Sequence, residues 1–185
     1  MSIINFLNLF DGETLNGWKM AGKGSFAILQ KENVLQTQGG MGLLWYRKRK
    51  FKDFILELEW KASSKDDNSG VFVRFPKPGN DPYIAIDRGY EIQIDDLAQP
   101  DGKPIHGTGA IYDFAAPSVI KSKPVGRWNS LEITAEKQKY TVMTNGIIVI
   151  SKFTGNRQLE GYVGLQNHDD RSKVLFRNIM VKEIL

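Results

Sequence analysis

The sequence predicts an all-β protein, a sandwich or barrel of antiparallel strands with little or no helix. Apolar residues recur with a period of two, as in residues 54–61, where positions 54, 56, 58 and 60 are apolar. The 18 glycines and 7 prolines fall between such runs, as turn residues do. No stretch of ten or more residues has a helical apolar stripe, and no fixed repeat predicts a propeller or solenoid.

The predicted strands follow one another at short spacing through most of the chain. Asn145-Gly146 separates two β-rich runs and predicts a hairpin turn, because both residues tolerate positive φ. Two irregular segments, residues 76–88 and 97–123, flank one strand on both sides, and long loops are where binding sites tend to lie. The predicted strands cover residues 54–61, 69–75, 89–96, 128–135, the two halves of 140–153, 161–166 and 174–184.

Length and composition limit the possible functions. A chain of 185 residues is expected to form one domain, residues 1–185, with a sizeable core. The absence of cysteine excludes disulfides, thiol nucleophiles and cysteine-based zinc sites. Only His106 and His168 are present, far apart in the chain, which makes a histidine-only metal site an unfavoured interpretation.

Charge and hydropathy predict neither nucleic acid nor membrane as a partner. The net charge is +4, and the one dense basic run, Arg47 to Lys50, leads directly into a strand and is interpreted as a solvated turn. No apolar run is long enough to span a bilayer. Residues 1–9 lack a basic region, and Asp11-Gly12 interrupts the apolar stretch. We therefore expect a cytoplasmic location, or a periplasmic one if an export leader has been removed; no oligomeric state is predicted.

Polar side chains alternate along the strand between the two irregular segments. Glu91, Gln93 and Asp95 are two residues apart, so a regular strand points all three to one face. In a second strand, Gln166 and His168 share a face in the same way, next to Gly164. Arg74, expected on the same side of its strand as Phe72, adds a cation to this set. Carboxylates, amides and an imidazole on one sheet face suit a polyhydroxylated ligand.

Motifs along nearly the whole chain resemble the 3-keto-disaccharide hydrolase family, formerly a domain of unknown function and similar to glycosyl hydrolases. Each motif is unspecific alone, but their shared order is distinctive. They comprise Leu9-Phe10-Asp11-Gly12, Leu15-Asn16-Gly17-Trp18, Leu44-Trp45, Asp53-Phe54, Ser69-Gly70-Val71-Phe72-Val73-Arg74, Gly89-Tyr90-Glu91-Ile92-Gln93-Ile94, His106-Gly107-Thr108-Gly109-Ala110-Ile111-Tyr112, Gly126-Arg127-Trp128-Asn129, Asn145-Gly146, Gly164-Leu165-Gln166-Asn167-His168 and Phe176-Arg177-Asn178-Ile179.

The resemblance implies a concanavalin A-like jelly roll of two antiparallel sheets whose concave face binds carbohydrate. It also implies cleavage of 3-keto-glycosides, in which the ketone at C3 makes the C2 hydrogen acidic. Elimination at C1–C2 followed by hydration needs a base at C2, a group that stabilises the enolate oxygen, and an acid at the leaving oxygen.

The roles expected of the candidate residues leave several alternatives open. Either His168 or Glu91 would be the base, with Asp95 as a further catalytic candidate. Either Arg74 or a divalent cation such as Ca²⁺ or Mg²⁺, held by Glu91 and Asp95, would stabilise the enolate. No organic cofactor is expected. The residues expected to bind substrate are Arg74, Gln93, His106, Tyr112, Gln166 and Trp45.

Two other functions compete with this hypothesis. A retaining glycosidase would use Glu91 and Asp95, although its two carboxyl groups must approach to about 5–5.5 Å, which the shorter Asp95 makes harder. A non-catalytic carbohydrate-binding module would present aromatic residues rather than carboxylates on its binding face.

Overall fold

The computed structural model describes residues 5–184 as two antiparallel β-sheets packed face to face. The strands of the larger sheet, in chain order, are β1 (Leu7–Asn8), β3 (Ser25–Leu29), β4 (Val34–Gln38), β6 (Phe54–Ala62), β9 (Asn129–Glu136), β10 (Lys139–Thr144), β11 (Ile147–Thr154) and β13 (Val174–Glu183). Those of the smaller sheet are β2 (Trp18–Gly22), β5 (Gly42–Tyr46), β7 (Ser69–Phe75), β8 (Tyr90–Ile94) and β12 (Tyr162–Asn167). This architecture confirms the predicted all-β sandwich.

The strand order is that of a jelly roll, because strands that are far apart in the chain pair with each other in both sheets. The larger sheet runs β11-β10-β9-β6-β13-β4-β3, with β1 added on β13, and the smaller runs β2-β5-β12-β7-β8. The only helices among residues 5–184 are α1 (Ile84–Arg88) and a single 3₁₀ turn at Pro104–His106. Neither of them is long or apolar enough to cross a membrane.

The core lies between the sheets, and the period of two places side chains there. Val71 and Val73 of β7, together with Ile92 of β8, face residues such as Phe176 and Trp60 of the larger sheet, all of them buried. Alternate residues of β7 and β8 therefore point away from the core, to the outer face of the smaller sheet.

The predicted hairpin turn is confirmed. Asn145 and Gly146 connect β10 to β11 with φ values of 51° and 77°, and a two-residue turn with positive φ at both positions matches the twist of the flanking strands.

Strands β1 to β5 are not among the strands predicted from the sequence. These strands have five residues or fewer, and β5 is buried throughout, so alternation along it is weak. The helix α1 lies inside the irregular segment 76–88 and is too short to give a periodic signal.

The outer face of the smaller sheet divides into an apolar and a polar half. In the apolar half, Leu43, Trp45, Phe72 and Phe75 pack together with Ala85 of α1. In the polar half, Glu91 and Gln93 of β8 lie beside Gln166 of β12, and this half carries the candidate site. Helix α1 thus covers one half of the sheet and leaves the other open.

Candidate functional site

A cavity of about 500 Å³ opens on the polar half of the smaller sheet. Its floor is formed by strand residues, and its walls come from three loops: the turn before β5, the segment around α1 and the loop after β8. The lining residues are Met41, Asn68, Tyr83, Ile86, Glu91, Gln93, Gln99, Pro100, Tyr112, Gln166 and His168. Four of the sequence-predicted residues of the strand faces, Glu91, Gln93, Gln166 and His168, are therefore brought together here.

Glu91 is the buried acid of this cavity. Only 6% of the residue is exposed, and its carboxyl lies over Gly70, where an added Cβ would be 2.2 Å from Glu91 Oε1. The pKa of Glu91 is raised to about 8. Burial is the largest cause, the negative charge of Asp113 raises the pKa further, and a hydrogen bond from Gln166 opposes them with a smaller effect. Glu91 is therefore mainly protonated at neutral pH.

Two buried amides surround the Glu91 carboxyl. With its nitrogen turned toward Glu91, the Gln93 amide donates hydrogen bonds to Glu91 Oε1 and to the Ser69 carbonyl, both at 3.2 Å. The Oε1 atom of Gln166 is buried and has no hydrogen-bond partner among the residues that the structure describes. An unpaired buried acceptor costs about 1–3 kcal/mol, and a hydroxyl group of a bound ligand that donated to Gln166 Oε1 would remove this cost.

His168 supplies an imidazole at the edge of the same cavity. It follows β12, and its side chain is 43% exposed, so it can exchange protons with solvent. Its Nδ1 lies 2.9 Å from Asp169 Oδ2, and the other carboxylate oxygen of Asp169, Oδ1, accepts hydrogen bonds from the backbone N–H groups of Arg171 and Ser172. These hydrogen bonds hold the pKa of Asp169 at about 2 although burial opposes them, so Asp169 stays ionised and orients the ring.

Tyr112 forms one wall of the cavity, whereas His106 stands behind it. The Tyr112 backbone N–H donates to the Glu91 carbonyl at 2.9 Å, which fixes the loop to β8. Burial and nearby carboxylates raise the pKa of the Tyr112 hydroxyl, so it remains a hydrogen-bond donor. His106 packs on the Tyr112 ring with centroids 4.8 Å apart and does not line the cavity itself.

Asp95 does not share the cavity with Glu91. It lies just beyond the end of β8, where its carboxylate accepts hydrogen bonds from the backbone N–H of Leu97 at 2.9 Å and of Gln99 at 2.8 Å. The side chain of Asn68 donates a third bond to it, at 3.1 Å. The carboxylate oxygens thus stabilise the turn that leads into residues 97–103.

The expected cation site between Glu91 and Asp95 does not fit this arrangement. The oxygens of Asp95 are occupied by N–H donors at the end of β8, so Glu91 has no second carboxylate beside it in the cavity. Residues 5–184 contain no group of three or more acidic or histidine side chains placed to hold a metal ion.

Arg74 lies away from the cavity, contrary to expectation. The regular alternation of β7 is broken by a register shift opposite β12, and Arg74 has a left-handed φ of 53°. Its fully buried side chain consequently turns toward the larger sheet, where it donates to Asp53 Oδ1 and to the Tyr140 hydroxyl, both at 3.0 Å, and to the carbonyls of Lys52 and Lys137. All of these interactions are structural.

Trp45 also lies outside the cavity. Only 2% of it is exposed, because it packs edge-on against Tyr162 at 4.7 Å in the apolar half of the sheet. This burial leaves no face of the ring free for a sugar.

Several lining residues were not found from the sequence. Tyr83 is 54% exposed at the cavity wall, and Ile86, Met41 and Pro100 add apolar surface. They lie in irregular segments, where no periodicity indicates which way a side chain points. Asn68 precedes Ser69-Gly70, a pattern that suggested only a strand.

A second cavity, of about 350 Å³, lies on the outer face of the larger sheet. It includes Glu57 and Glu132, which face each other across β6 and β9, and burial together with the charge of Glu132 raises the pKa of Glu57. None of the sequence-predicted site residues lines it.

Comparisons with known proteins agree with the fold. The chain is 28% identical over 231 residues to a 3-keto-disaccharide hydrolase of Bacteroides thetaiotaomicron, covering 96% of this chain and 78% of that protein. A candidate glycosyl hydrolase from Parabacteroides distasonis has the same fold, with a TM-score of 0.83 at 19% identity over 97% and 94% of the two chains. A carbohydrate-binding module of Bacillus subtilis superposes with a TM-score of 0.65 at 17% identity over 90% and 96%.

Together, the jelly-roll sandwich, the polar cavity on its sheet face and these relatives define a carbohydrate-active hydrolase. Residues 5–182 match the family described as the 3-keto-alpha-glucoside-1,2-lyase-like domain. The chain belongs to this family.

Proposed function

We propose that the protein cleaves 3-keto-glycosides by elimination across C1–C2 and then hydrates the product. The observation that carries this proposal is the pairing, in one cavity, of a buried carboxyl with a pKa of about 8 and an accessible imidazole. One supplies a proton at neutral pH and the other can accept one, and the proposed reaction needs both.

The first step is removal of the C2 proton. His168 takes this proton, and the electron pair of the C2–H bond moves into a C2–C3 double bond while the C3 ketone becomes an enolate. The Tyr112 hydroxyl donates a hydrogen bond to the enolate oxygen. Arg74, which is buried elsewhere, has no part in this step.

The second step expels the leaving group. The enolate collapses back to a ketone, a C1–C2 double bond forms, and the C1–O bond breaks. Glu91 gives its proton to the departing oxygen and is left as a carboxylate. Water then adds, its oxygen bonding to C1 and a proton returning to C2, and both groups recover their starting protonation.

A retaining mechanism fits the geometry less well. It requires a second carboxylate across the scissile bond from Glu91. Asp95, the candidate for this role, is held by Leu97, Gln99 and Asn68 at the end of β8.

A substrate labelled with deuterium at C2 tests the proposal. We would incubate 4-nitrophenyl 3-keto-α-glucoside, with hydrogen or deuterium at C2, and the unoxidised glucoside with the protein. The proposal predicts turnover of the keto substrate alone, a primary isotope effect on kcat/KM and loss of the label to solvent. Substrate and product incubated without protein correct for spontaneous exchange next to the ketone.

Other outcomes of this experiment separate the alternatives. Turnover of the unoxidised glucoside with full retention of the label would support a retaining glycosidase. Binding of both compounds without turnover of either would support a carbohydrate-binding module.

A further inference from the structure

His106 occupies an unusual position between two carboxylates. Its Nδ1 lies 2.7 Å from Asp101 Oδ1, and its Nε2 lies 2.9 Å from Asp113 Oδ1. A neutral imidazole carries one N–H and would point the lone pair of its other nitrogen at a carboxylate. Only the imidazolium, with two N–H groups, satisfies both contacts.

The charges around His106 favour this form. Asp101 and Asp113 each face one nitrogen of the ring, and Lys103 pairs at 2.7 Å with Oδ2 of Asp101, the oxygen that His106 does not contact. The hydrogen bonds to the two carboxylates raise the pKa of His106, with burial as a weaker opposing effect. The side chain is 12% exposed, so solvent screens these contacts only partly.

The ring of His106 connects this ion cluster to the cavity. It packs against Tyr112 with an angle of 32° between the ring planes, a geometry in which a cation is attracted to the aromatic face. Asp113 follows Tyr112 directly and has a left-handed φ of 63°, a conformation that costs free energy and needs support from its surroundings. His106 therefore fixes both the ring of Tyr112 and the backbone next to it.

We propose that His106 is a positioning residue, an imidazolium held between Asp101 and Asp113 that places the Tyr112 side chain in the cavity wall. This assigns His106 a role through Tyr112 instead of the direct substrate contact expected from the sequence. The catalytic part of the inference rests on the proposed function, because it assumes that the Tyr112 hydroxyl acts on the substrate.

A double-mutant cycle tests whether His106 acts through Tyr112. We expect His106→Ala and Tyr112→Phe each to lower kcat on the 3-keto-glucoside by about 10-fold or more, and the double variant to be no slower than the worse single variant. KM should change less than kcat. If kcat of the double variant fell by the product of the two single-variant reductions, the proposal would be overturned.

Measurements without substrate keep the two proposals separable. In NMR spectra of the wild-type protein, we expect the His106 ring to titrate above pH 6.5, the ordinary value, and the Tyr112 ring signals to shift with it. In the Asp101→Asn/Asp113→Asn variant, the titration should move to lower pH. His168→Ala serves as the matched control and should leave the Tyr112 signals unchanged.

The outcomes differ for the two ideas. If no 3-keto-glycoside is turned over but the Tyr112 ring signals shift as His106 titrates, the proposed function fails and the positioning role of His106 stands. The positioning role is overturned, whatever the activity, by either of two results. One is a His106 ring that titrates at its ordinary pH, and the other is a set of Tyr112 ring signals that do not change in His106→Ala.

Discussion

The carboxyl of Glu91 occupies the space that a side chain on Gly70 would fill. A Cβ atom at position 70 would lie 2.2 Å from Glu91 Oε1 and 2.8 Å from Glu91 Cγ, far inside van der Waals contact. Gly70 of β7 pairs with Gln93 of β8, and the next residue, Val71, pairs with Ile92. The pairing of β7 with β8 therefore creates this space. Gly70 is therefore part of the floor of the site although it contributes no functional group.

Gly70→Ala should lower activity without unfolding the protein. The extra methyl group must displace the Glu91 carboxyl, and a displacement of about 1 Å costs about 100-fold in rate. Steady-state kinetics on a 3-keto-glycoside, with circular dichroism as the check on folding, measure this effect. Gly79→Ala is the control for an added methyl group, since nothing lies within 4 Å of its Cβ, although the φ of 63° there adds backbone strain. Unchanged kcat in Gly70→Ala would contradict the placement of Glu91.

Glu91→Gln should abolish proton donation and change how stability depends on pH. Because the pKa of Glu91 rises from 4.5 to about 8 on folding, the unfolded chain releases a proton between these values that the folded chain keeps. The free energy of unfolding of the wild type therefore declines as pH rises through this window. A glutamine side chain does not titrate, so its contribution to the free energy of unfolding does not decline with pH. The variant should therefore gain stability relative to the wild type, by up to about 5 kcal/mol above pH 8.

Thermal or urea unfolding at pH 5 and pH 9 measures the effect of Glu91→Gln. A constant difference between the two proteins at both pH values would show that Glu91 is not buried as a neutral acid. In the wild type, kcat/KM should decline above about pH 8 as Glu91 of the free protein loses its proton. In the variant, kcat should be at least about 100-fold lower at pH 7.

Arg74→Met should destabilise the fold while leaving the chemistry intact. The substitution removes the partner of Asp53 and of the Lys52 and Lys137 carbonyls, and breaking a buried ion pair costs about 3–5 kcal/mol. Urea unfolding gives this loss. At a temperature where the variant is folded, kcat and KM should match the wild type. A KM increase of tenfold or more in folded Arg74→Met would place Arg74 at the substrate after all.

Tyr83→Ala should weaken substrate binding more than catalysis. The half-exposed ring lies at the cavity wall and offers an apolar surface to the ligand. We expect KM to rise by about 10-fold, equivalent to about 1.4 kcal/mol, with little change in kcat. Tyr83→Phe retains the ring and should bind like the wild type. Equal losses in both variants would mean that the hydroxyl, not the ring, contacts the substrate.

Strand geometry explains which part of the site the sequence could predict. Glu91, Gln93 and Gln166 meet in one cavity because the alternation along β8 and β12 fixes their face whatever the loops do. His168 lies one residue past β12 and reaches the same cavity. The fold class was predictable for the same reason, since a period of two continues through β6, β8 and β9.

The predicted site residues that lie outside the cavity are found where that alternation stops or is weak. Arg74 lies at a bulge, where one residue with left-handed φ sends its side chain to the opposite side and moves Phe75 to the outer face beside Phe72. Asp95 lies one residue past the end of β8 and takes its direction from a turn. Trp45 lies in the apolar half of the outer face, where Tyr162 packs against it, and the alternation along the fully buried strand β5 is too weak to predict this burial.

The division of the cavity into a strand floor and loop walls has a consequence for engineering. Glu91 lies in β8 and His168 directly follows β12, whereas Tyr83, Ile86 and Pro100 belong to two separate stretches of chain on either side of β8. Tyr83 and Ile86 in the first segment and residues 97–100 in the second, which leaves out Asp101 of the His106 ion cluster, can therefore be exchanged or randomised one segment at a time, with the acid and the imidazole held in place by the sheet. A library confined to these two segments should vary the leaving group accepted while the reaction stays the same, which makes this chain a starting point for retargeted glycoside cleavage.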